Sequence, residues 1–184
     1  VGGLAARVIE HGDLVGLVPE HAGPKATPYH DEELPAGPVA IDAQFDAPID
    51  AERSRGMYSA IDAPSNEPYV YTFFEPTDAR RAFPCFDEPS FKIPWTLVFH
   101  VRAHDVALGN APVVRETPEP NGMKRVELAE TKPLPSYLVA FVVGPFDVVD
   151  DGTAGRASTP VRFVVPKGHR DELGFAKQIT PHVV

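Results

Sequence analysis

The residues from Thr72 to Lys92 concentrate the side chains of this chain that could do chemistry. They read T-F-F-E-P-T-D-A-R-R-A-F-P-C-F-D-E-P-S-F-K and include the only cysteine, Cys85. Three prolines restrict the backbone of the segment, because each fixes φ and removes a hydrogen-bond donor. Aromatic side chains can anchor it by burying apolar area, and we expect this of Phe74, Phe83, Phe86 and Phe91. Charged groups on such a rigid connection are held at fixed positions, as a binding site requires.

The charged residues of this segment allow two interpretations. Most of them can form ion pairs that fasten the segment to the domain, and this structural role is predicted for Asp78, Arg80, Arg81, Asp87 and Glu88. Glu75 differs because it lies where a run of strand-forming residues ends, immediately before Pro76. A carboxylate there can face a cleft while its backbone is held in place. On the pattern alone, Glu75 is open to either a structural or a binding role.

Other candidates for catalysis or metal binding are weak. Cys85 lies between Pro84 and Phe86 without an adjacent base, which indicates a buried, unreactive thiol. His100 and His104 have the spacing of a helical zinc pair. However, His100 lies at the end of a predicted strand, in which residues i and i+4 are about 13 Å apart, so we interpret the pair as ordinary surface or edge histidines. The sequence contains no His-Glu-x-x-His, and taken alone it shows no catalytic residue set.

Length, composition and charge limit the classes of protein to which this chain can belong. The chain has 184 residues, a formal net charge of −9 and 43% hydrophobic residues, enough to form a core. The acidic balance and the lack of a basic run argue against a nucleic-acid partner. No apolar run of 18 residues is present, so the sequence predicts no membrane span. This length fits one domain, or one domain with part of a second.

The elements that must position these residues are mostly strands. Period-2 alternation and strand-forming residues predict strands over 4–10, 14–18, 39–45, 68–74, 95–102, 122–128, 137–143 and 161–165. Residues 146–149 are expected to extend the seventh strand past a bulge at Gly144-Pro145. Residues 22–38 are predicted as a loop, and 77–83 as about two helical turns. A helix is predicted over 169–184, ended or kinked by Pro181. The fold class is therefore an all-β sandwich followed by the start of a helical region.

Three segments carry a family resemblance. The run from Thr72 to Lys92 is very similar to the signature of the amino-terminal domain of the aminopeptidase N family of zinc metallopeptidases. Gly56-Met-Tyr58 resembles the Gly-x-Tyr that precedes this signature. Ser136-Tyr-Leu-Val-Ala-Phe141, followed by Gly144-Pro-Phe-Asp147, resembles a further strand of that domain. The resemblance spans residues 34–184.

The resemblance implies a saddle-like antiparallel β-sandwich that packs against a catalytic domain. We expect residues 1–165 to form this sandwich, truncated at its start, and 166–184 to be the linker and first helix of the catalytic domain. The parent enzyme would be a zinc aminopeptidase that removes amino-terminal residues from peptides. Its zinc ligands and catalytic Glu would lie in the catalytic domain, so this chain alone should bind no zinc and be inactive.

Two positions acquire expected roles from the resemblance. In the family, the Glu corresponding to Glu75 lies on the floor of the active site and helps to bind the α-ammonium of the substrate. Many members carry Gln where this chain has Phe73, and that Gln lines the pocket for the first substrate residue. Phe73 therefore implies a more apolar or narrower pocket here.

The resemblance leaves two alternatives to an aminopeptidase. Similar β-domains occur in members that have lost peptidase function and serve as scaffolds, and in an epoxide-hydrolysing branch. A face that normally packs against the catalytic domain would also expose apolar surface in this chain alone. Self-association through that face is therefore expected.

Overall fold

The computed structural model of the protein describes residues 6–10 and 45–183. The strand predicted over 14–18 and the loop predicted over 22–38 lie outside these residues. The strand predicted over 39–45 also lies outside them, except for Phe45, which is not in a strand.

Within the described residues the chain forms ten strands and one α-helix. The strands are β1 (Ala6–Glu10), β2 (Gly56–Asp62), β3 (Glu67–Phe73), β4 (Trp95–Arg102), β5 (Val106–Gly109), β6 (Val113–Glu119), β7 (Met123–Leu128), β8 (Phe141–Gly144), β9 (Phe146–Ala154) and β10 (Thr159–Pro166). The helix α1 (Gly174–Val183) follows a 3-10 turn at Arg170–Leu173.

The strands form two four-stranded antiparallel sheets and one hairpin. The first sheet has the order β1-β4-β7-β6, and the second has the order β2-β3-β8-β5. The hairpin consists of β9 and β10. In the second sheet, Gly56 of β2 pairs with Phe73 of β3, which places the start of β2 beside the end of β3.

The two sheets share one core, which confirms the predicted antiparallel β-sandwich. Alternate side chains of β4, including the fully buried Phe99, face inward with Val126 of β7. From the second sheet, Phe141 of β8 contacts Phe99 with ring centroids 5.3 Å apart. Period-2 alternation therefore predicted β4 correctly, since burial of every second side chain is what the pattern reflects.

The hairpin covers part of the other face of the second sheet. Tyr69 of β3 is 1% exposed, and its ring lies 4.8 Å from that of Phe146 in β9. Its hydroxyl donates to the Pro145 carbonyl (3.2 Å) and accepts from the Lys167 amide (3.0 Å). Gly144 is required here, because a Cβ at this position would lie 2.6 Å from the Tyr69 ring. The chain thus passes from the second sheet to the hairpin at Gly144-Pro145. The prediction of a bulge within one continuous strand was therefore wrong.

The seventh predicted strand was too long. Ser136–Leu138 form a 3-10 turn, and β8 begins only at Phe141. The Asn110 side chain accepts a hydrogen bond from the Ala140 amide (2.7 Å) and donates to the Leu138 carbonyl (2.9 Å). These backbone groups are therefore unavailable to a strand ladder.

Two helical predictions also need adjustment. The two turns predicted over 77–83 are a single 3-10 turn, Ala79–Arg81, whose first residue is fully buried against the core. The predicted tail helix is present as α1, but it continues for two residues past Pro181. A proline in the last turn removes only one backbone hydrogen bond, so it does not stop the helix at that point.

Candidate functional site

Glu75 lies in a tight turn that follows β3. The residue before it, Phe74, is 1% exposed and packs its ring against Phe83 (5.5 Å) and Phe141 (6.2 Å). The Asp78 amide donates a hydrogen bond to the Phe74 carbonyl at 2.8 Å, which closes the turn around Glu75. The backbone of Glu75 is therefore anchored on both sides by buried residues.

The Glu75 side chain is exposed and makes no hydrogen bond or ion pair with the described residues. Its carboxylate is thus held on a fixed backbone but is not used by the described part of the fold. A carboxylate in this state can accept charge-assisted hydrogen bonds from a cation, such as an ammonium group.

Phe73 is the last residue of β3 and is 49% exposed. Along β3 its side chain alternates with the buried Phe74 and lies on the same face as Tyr69 and Tyr71. An aromatic side chain exposed to this extent beside an exposed carboxylate can contribute an apolar wall to a ligand site. The structure therefore brings Phe73 and Glu75 to one end of β3 and leaves both accessible.

Asp87 carries the structural role predicted for the charged segment. It is 4% exposed and accepts hydrogen bonds from the Ser136 hydroxyl (2.5 Å), the Arg80 amide (3.1 Å) and Arg80 Nε (3.1 Å). Burial alone would raise the pKa of Asp87. The hydrogen bonds from Ser136 and Arg80 outweigh it, so the pKa lies below its ordinary value.

Of the three remaining residues predicted to form ion pairs, two have a partner among the described residues and one does not. Asp78 pairs with Arg55, and Arg81 lies 3.7 Å from an Asp50 carboxylate oxygen, so both were predicted correctly. Glu88 is exposed and forms no ion pair with the described residues, so its structural role stays a prediction. Arg55 and Asp50 were missed by the sequence analysis, because the segment that contains them shows no motif or periodicity.

Of the four aromatic residues predicted to anchor the segment, two are buried and two are exposed. Phe74 and Phe83 are buried, but Phe86 is 71% exposed and Phe91 48% exposed, so the prediction was wrong for the last two. Their rings contact each other at 5.3 Å and line a shallow groove with Ile93 and Trp95. Backbone turns around Glu88 direct this part of the chain to the surface. The self-association expected through an apolar face stays a prediction.

Among the described residues, Cys85, His100 and His104 lie apart from one another and have different surroundings. Cys85 is half-buried and packs against the core. His100 bonds the carboxylate of Glu119 at 2.8 Å, whereas His104 lies 3.6 Å from that of Asp105. In the described part of the chain, no three His, Cys, Asp or Glu side chains converge as a metal site would require. Within the same residues, no helix has the length and apolar character needed to cross a membrane.

Comparison with known proteins identifies the family. The family model for the peptidase M1 N-terminal domain matches residues 7–138. The chain belongs to the peptidase M1 family. This M1 domain is 40% identical over 138 residues to Aminopeptidase M1-A of Oryza sativa subsp. japonica, covering 71% of this chain and 15% of that protein. It is 32% identical over 176 residues to Aminopeptidase N of Acetobacter pasteurianus, covering 94% of this chain and 48% of that protein.

A third relative is also named an aminopeptidase and is also covered only in part by this chain. Aminopeptidase M1 of Arabidopsis thaliana is 32% identical over 169 residues, which cover 86% of this chain and 19% of the relative. The chain therefore spans less than half the length of these relatives. Phe73, Glu75 and the ion pairs around them all lie within the matched residues 7–138, whereas α1 lies beyond them.

Proposed function

We propose that this chain is the non-catalytic amino-terminal domain of a longer zinc-dependent aminopeptidase, which removes amino-terminal residues from peptides. Two findings support the proposal. The relatives are named aminopeptidases, and the chain covers only 15% to 48% of their length. The rest of such a protein has ample length for a catalytic domain.

Within this enzyme, Glu75 binds the α-ammonium group of the substrate. The observation that carries this role is the exposed carboxylate, without a partner among the described residues, on a backbone anchored by Phe74 and Asp78. A carboxylate and an ammonium form a strong charge-assisted hydrogen bond. Because the carboxylate position is fixed, the bound ammonium would set which peptide bond reaches the catalytic groups.

Phe73 lines the pocket for the first substrate residue. Its exposed ring lies two residues from Glu75, so a side chain next to a bound ammonium could contact it. An aromatic wall favours apolar side chains, since burying apolar area is favourable and the ring offers no hydrogen bond. The enzyme would therefore prefer peptides that begin with an apolar residue.

The same proposal divides the chain between the two domains of this enzyme. Residues 1–165 form the β-domain, and 166–184, which include α1, lead into the catalytic domain. The described residues do not fit a zinc site, because they contain no convergent set of ligands. The zinc ligands would belong to the catalytic domain, and this chain alone would hydrolyse no peptide.

The test uses the longer protein with Glu75→Gln, which keeps the shape of the side chain but removes its charge. We expect kcat/KM for an aminoacyl-anilide substrate to fall by about 30-fold or more, as for the loss of one partner of a desolvated charge pair. Glu88→Gln is the matched control, since Glu88 is an exposed glutamate of the same segment. It should leave kcat/KM unchanged.

Three outcomes would contradict parts of the proposal. An unchanged kcat/KM in Glu75→Gln would remove Glu75 from the substrate site. Hydrolysis of the anilide by the 184-residue chain alone, if abolished by a chelator, would overturn the division between two domains. A longer protein that is folded but hydrolyses no aminoacyl substrate would instead support a scaffold or an epoxide hydrolase.

A further inference from the structure

We propose that the ion pair between Arg55 and Asp78 is a positioning device that holds the Glu75 turn in its binding geometry. This inference rests on the proposed role of Glu75. It assigns a function to Arg55, a residue outside the signature segment, and makes Asp78 a positioning residue.

The position of Asp78 in the turn is the first observation. Its amide bonds the Phe74 carbonyl at 2.8 Å, and its own carbonyl accepts from the Arg81 amide at 3.1 Å. Asp78 therefore joins the Glu75 turn to the 3-10 turn that follows. Any movement of Asp78 would move the end of the turn that carries Glu75.

The Asp78 carboxylate is directed away from its own turn. Asp78 occupies the N-cap position of the 3-10 turn, but its side chain makes no capping hydrogen bond. Its Oδ2 instead accepts from Arg55 Nε at 2.8 Å, and the Asp78 side chain is only 8% exposed. A carboxylate buried to this extent needs a hydrogen-bond donor, which the half-exposed Arg55 supplies, so the pair constrains where Asp78 can lie.

Arg55 is itself attached to the sheet. It directly precedes Gly56, the first residue of β2, which pairs with Phe73 at the end of β3. The Arg55–Asp78 pair thus spans from the start of β2 to the far side of the Glu75 turn. Both ends of the turn are thereby connected to the same sheet, one through β3 and the other through this pair.

A second contact supports the same connection. Asp50 forms backbone hydrogen bonds of 2.9 Å with β2, through Met57 and Ser59. Its carboxylate also accepts from the Glu52 and Arg53 amides at 2.9 Å, and these bonds hold the pKa of Asp50 below its ordinary value. Its other oxygen lies 3.7 Å from Arg81.

Gly56 permits the close approach of the two segments. It has a φ of +66°, a conformation that suits glycine. A Cβ at this position would lie 3.5 Å from the Arg81 Cβ. The segment from Asp50 to Gly56 is therefore packed directly on the turn that carries Asp78 and Arg81.

These contacts preorganise the Glu75 carboxylate for binding. A binding carboxylate must be held to within about 0.5 Å of its productive position, and residues that support it determine how well it is held. Without Arg55, the turn retains its anchor at Phe74 and the bond from the Asp78 amide, but it loses the link from the Asp78 carboxylate to β2. We expect the Glu75 carboxylate then to sample several positions, which weakens its contact with an ammonium group.

The test is a double-mutant cycle in the longer protein, made from Arg55→Ala, Glu75→Gln and their combination. We expect Arg55→Ala to lower kcat/KM about fivefold in the wild-type background and less than twofold in the Glu75→Gln background, because coupled residues are not additive. Most of the loss should be a higher KM. Arg115→Ala removes an exposed pair with Glu127 on the first sheet and should leave kcat/KM unchanged in both backgrounds.

The outcomes separate this inference from the proposal on which it rests. If Glu75→Gln has no effect, the role of Glu75 fails and the inference fails with it. If Glu75→Gln has its effect but the loss from Arg55→Ala is the same in both backgrounds, or absent, the positioning role alone is overturned. Should Arg55→Ala not fold, Arg55→Lys decides by the same cycle, with a smaller expected loss because the positive charge is kept.

Hydrogen exchange on the 184-residue chain gives an independent readout. The Asp78 amide, which bonds the Phe74 carbonyl, should exchange about tenfold faster in Arg55→Ala than in the wild type, as expected when local opening becomes easier. The Phe99 amide in the core should be little changed. Equal acceleration at both amides would show general destabilisation and would overturn the positioning role.

Discussion

Two carboxylates of the signature segment, Asp87 and Glu75, are in opposite states. Asp87 is 4% exposed and accepts three side-chain or backbone hydrogen bonds from Ser136 and Arg80. Glu75 is exposed and has no partner among the described residues. One short segment therefore fastens itself to the domain through Asp87 and leaves the Glu75 carboxylate exposed. The two carboxylates differ in burial and hydrogen bonding, although both are acidic side chains of the same segment.

The largest effect is expected from Asp87→Ala in the 184-residue chain. The substitution leaves the Ser136 hydroxyl and the Arg80 amide without their acceptor, and we expect a loss of about 3 kcal/mol in the free energy of unfolding. Glu75→Ala should change it by less than about 0.5 kcal/mol, since an exposed side chain with no polar partner among the described residues adds little to stability. Denaturant unfolding followed by Trp95 fluorescence measures both.

Equal losses of stability in these two variants would show that the contrast between the carboxylates is wrong. The same result would count against an available Glu75 carboxylate, since a large loss at Glu75 requires a partner in the folded chain.

Phe73→Gln is expected to have a smaller effect, on specificity. In the longer protein it should lower the preference for a leucyl over an alanyl anilide about fivefold, as for the loss of part of an apolar pocket. Phe86→Gln is the control, because Phe86 is also an exposed aromatic of the segment but lies beyond the Glu75 turn. If the preference shifts equally in both variants, Phe73 has no special contact with the first substrate residue.

The smallest effect concerns a third arrangement of carboxylates, at the C-terminal end of the sandwich. His169 contacts the Glu172 carboxylate at 2.7 Å and that of Asp62 at 3.0 Å. The hydrogen bond to Glu172, followed by the charges of Glu172 and Asp62, outweighs desolvation and raises the pKa of His169 above its ordinary value. Since the raised pKa belongs to the folded state, protonated His169 stabilises the fold below about pH 6.5. This contribution is lost as pH rises through the folded-state pKa.

We therefore expect the denaturation midpoint of the chain to decrease as the pH rises above about 6.5. His169→Gln should remove that part of the pH dependence, whereas His104→Gln should retain it. A steeper decrease in His169→Gln than in the wild type would contradict the assignment.

The sequence predicted those elements whose signal is local. The strand Trp95–Arg102 was predicted with correct bounds, because alternate side chains of β4 enter the core. The strand predicted over 137–143 was wrong at its start because Asn110, about 30 residues away, binds the backbone there. The aromatic residues Phe86 and Phe91 look identical to buried anchors in the sequence, and only the turn around Glu88 places them outside.

The candidate site combines a local sequence signal with contacts between distant residues. Glu75 and Phe73 became candidates through the signature segment in which they lie, and their binding roles stay predictions. The pair between Arg55 and Asp78 joins residues 23 positions apart, and neither periodicity nor motif indicates such a contact. The exposure of Glu75 beside buried neighbours likewise depends on the packing of Phe74, which the sequence alone does not reveal.

The central claim is that Glu75 binds the α-ammonium group of a peptide. Its most direct test measures, in the longer protein, inhibition by a peptide analogue and by the same analogue lacking the amino group. We predict that the wild type binds the amino form at least tenfold more tightly, and that Glu75→Gln abolishes most of this preference while Glu88→Gln retains it. An undiminished preference for the amino form in Glu75→Gln would contradict the claim.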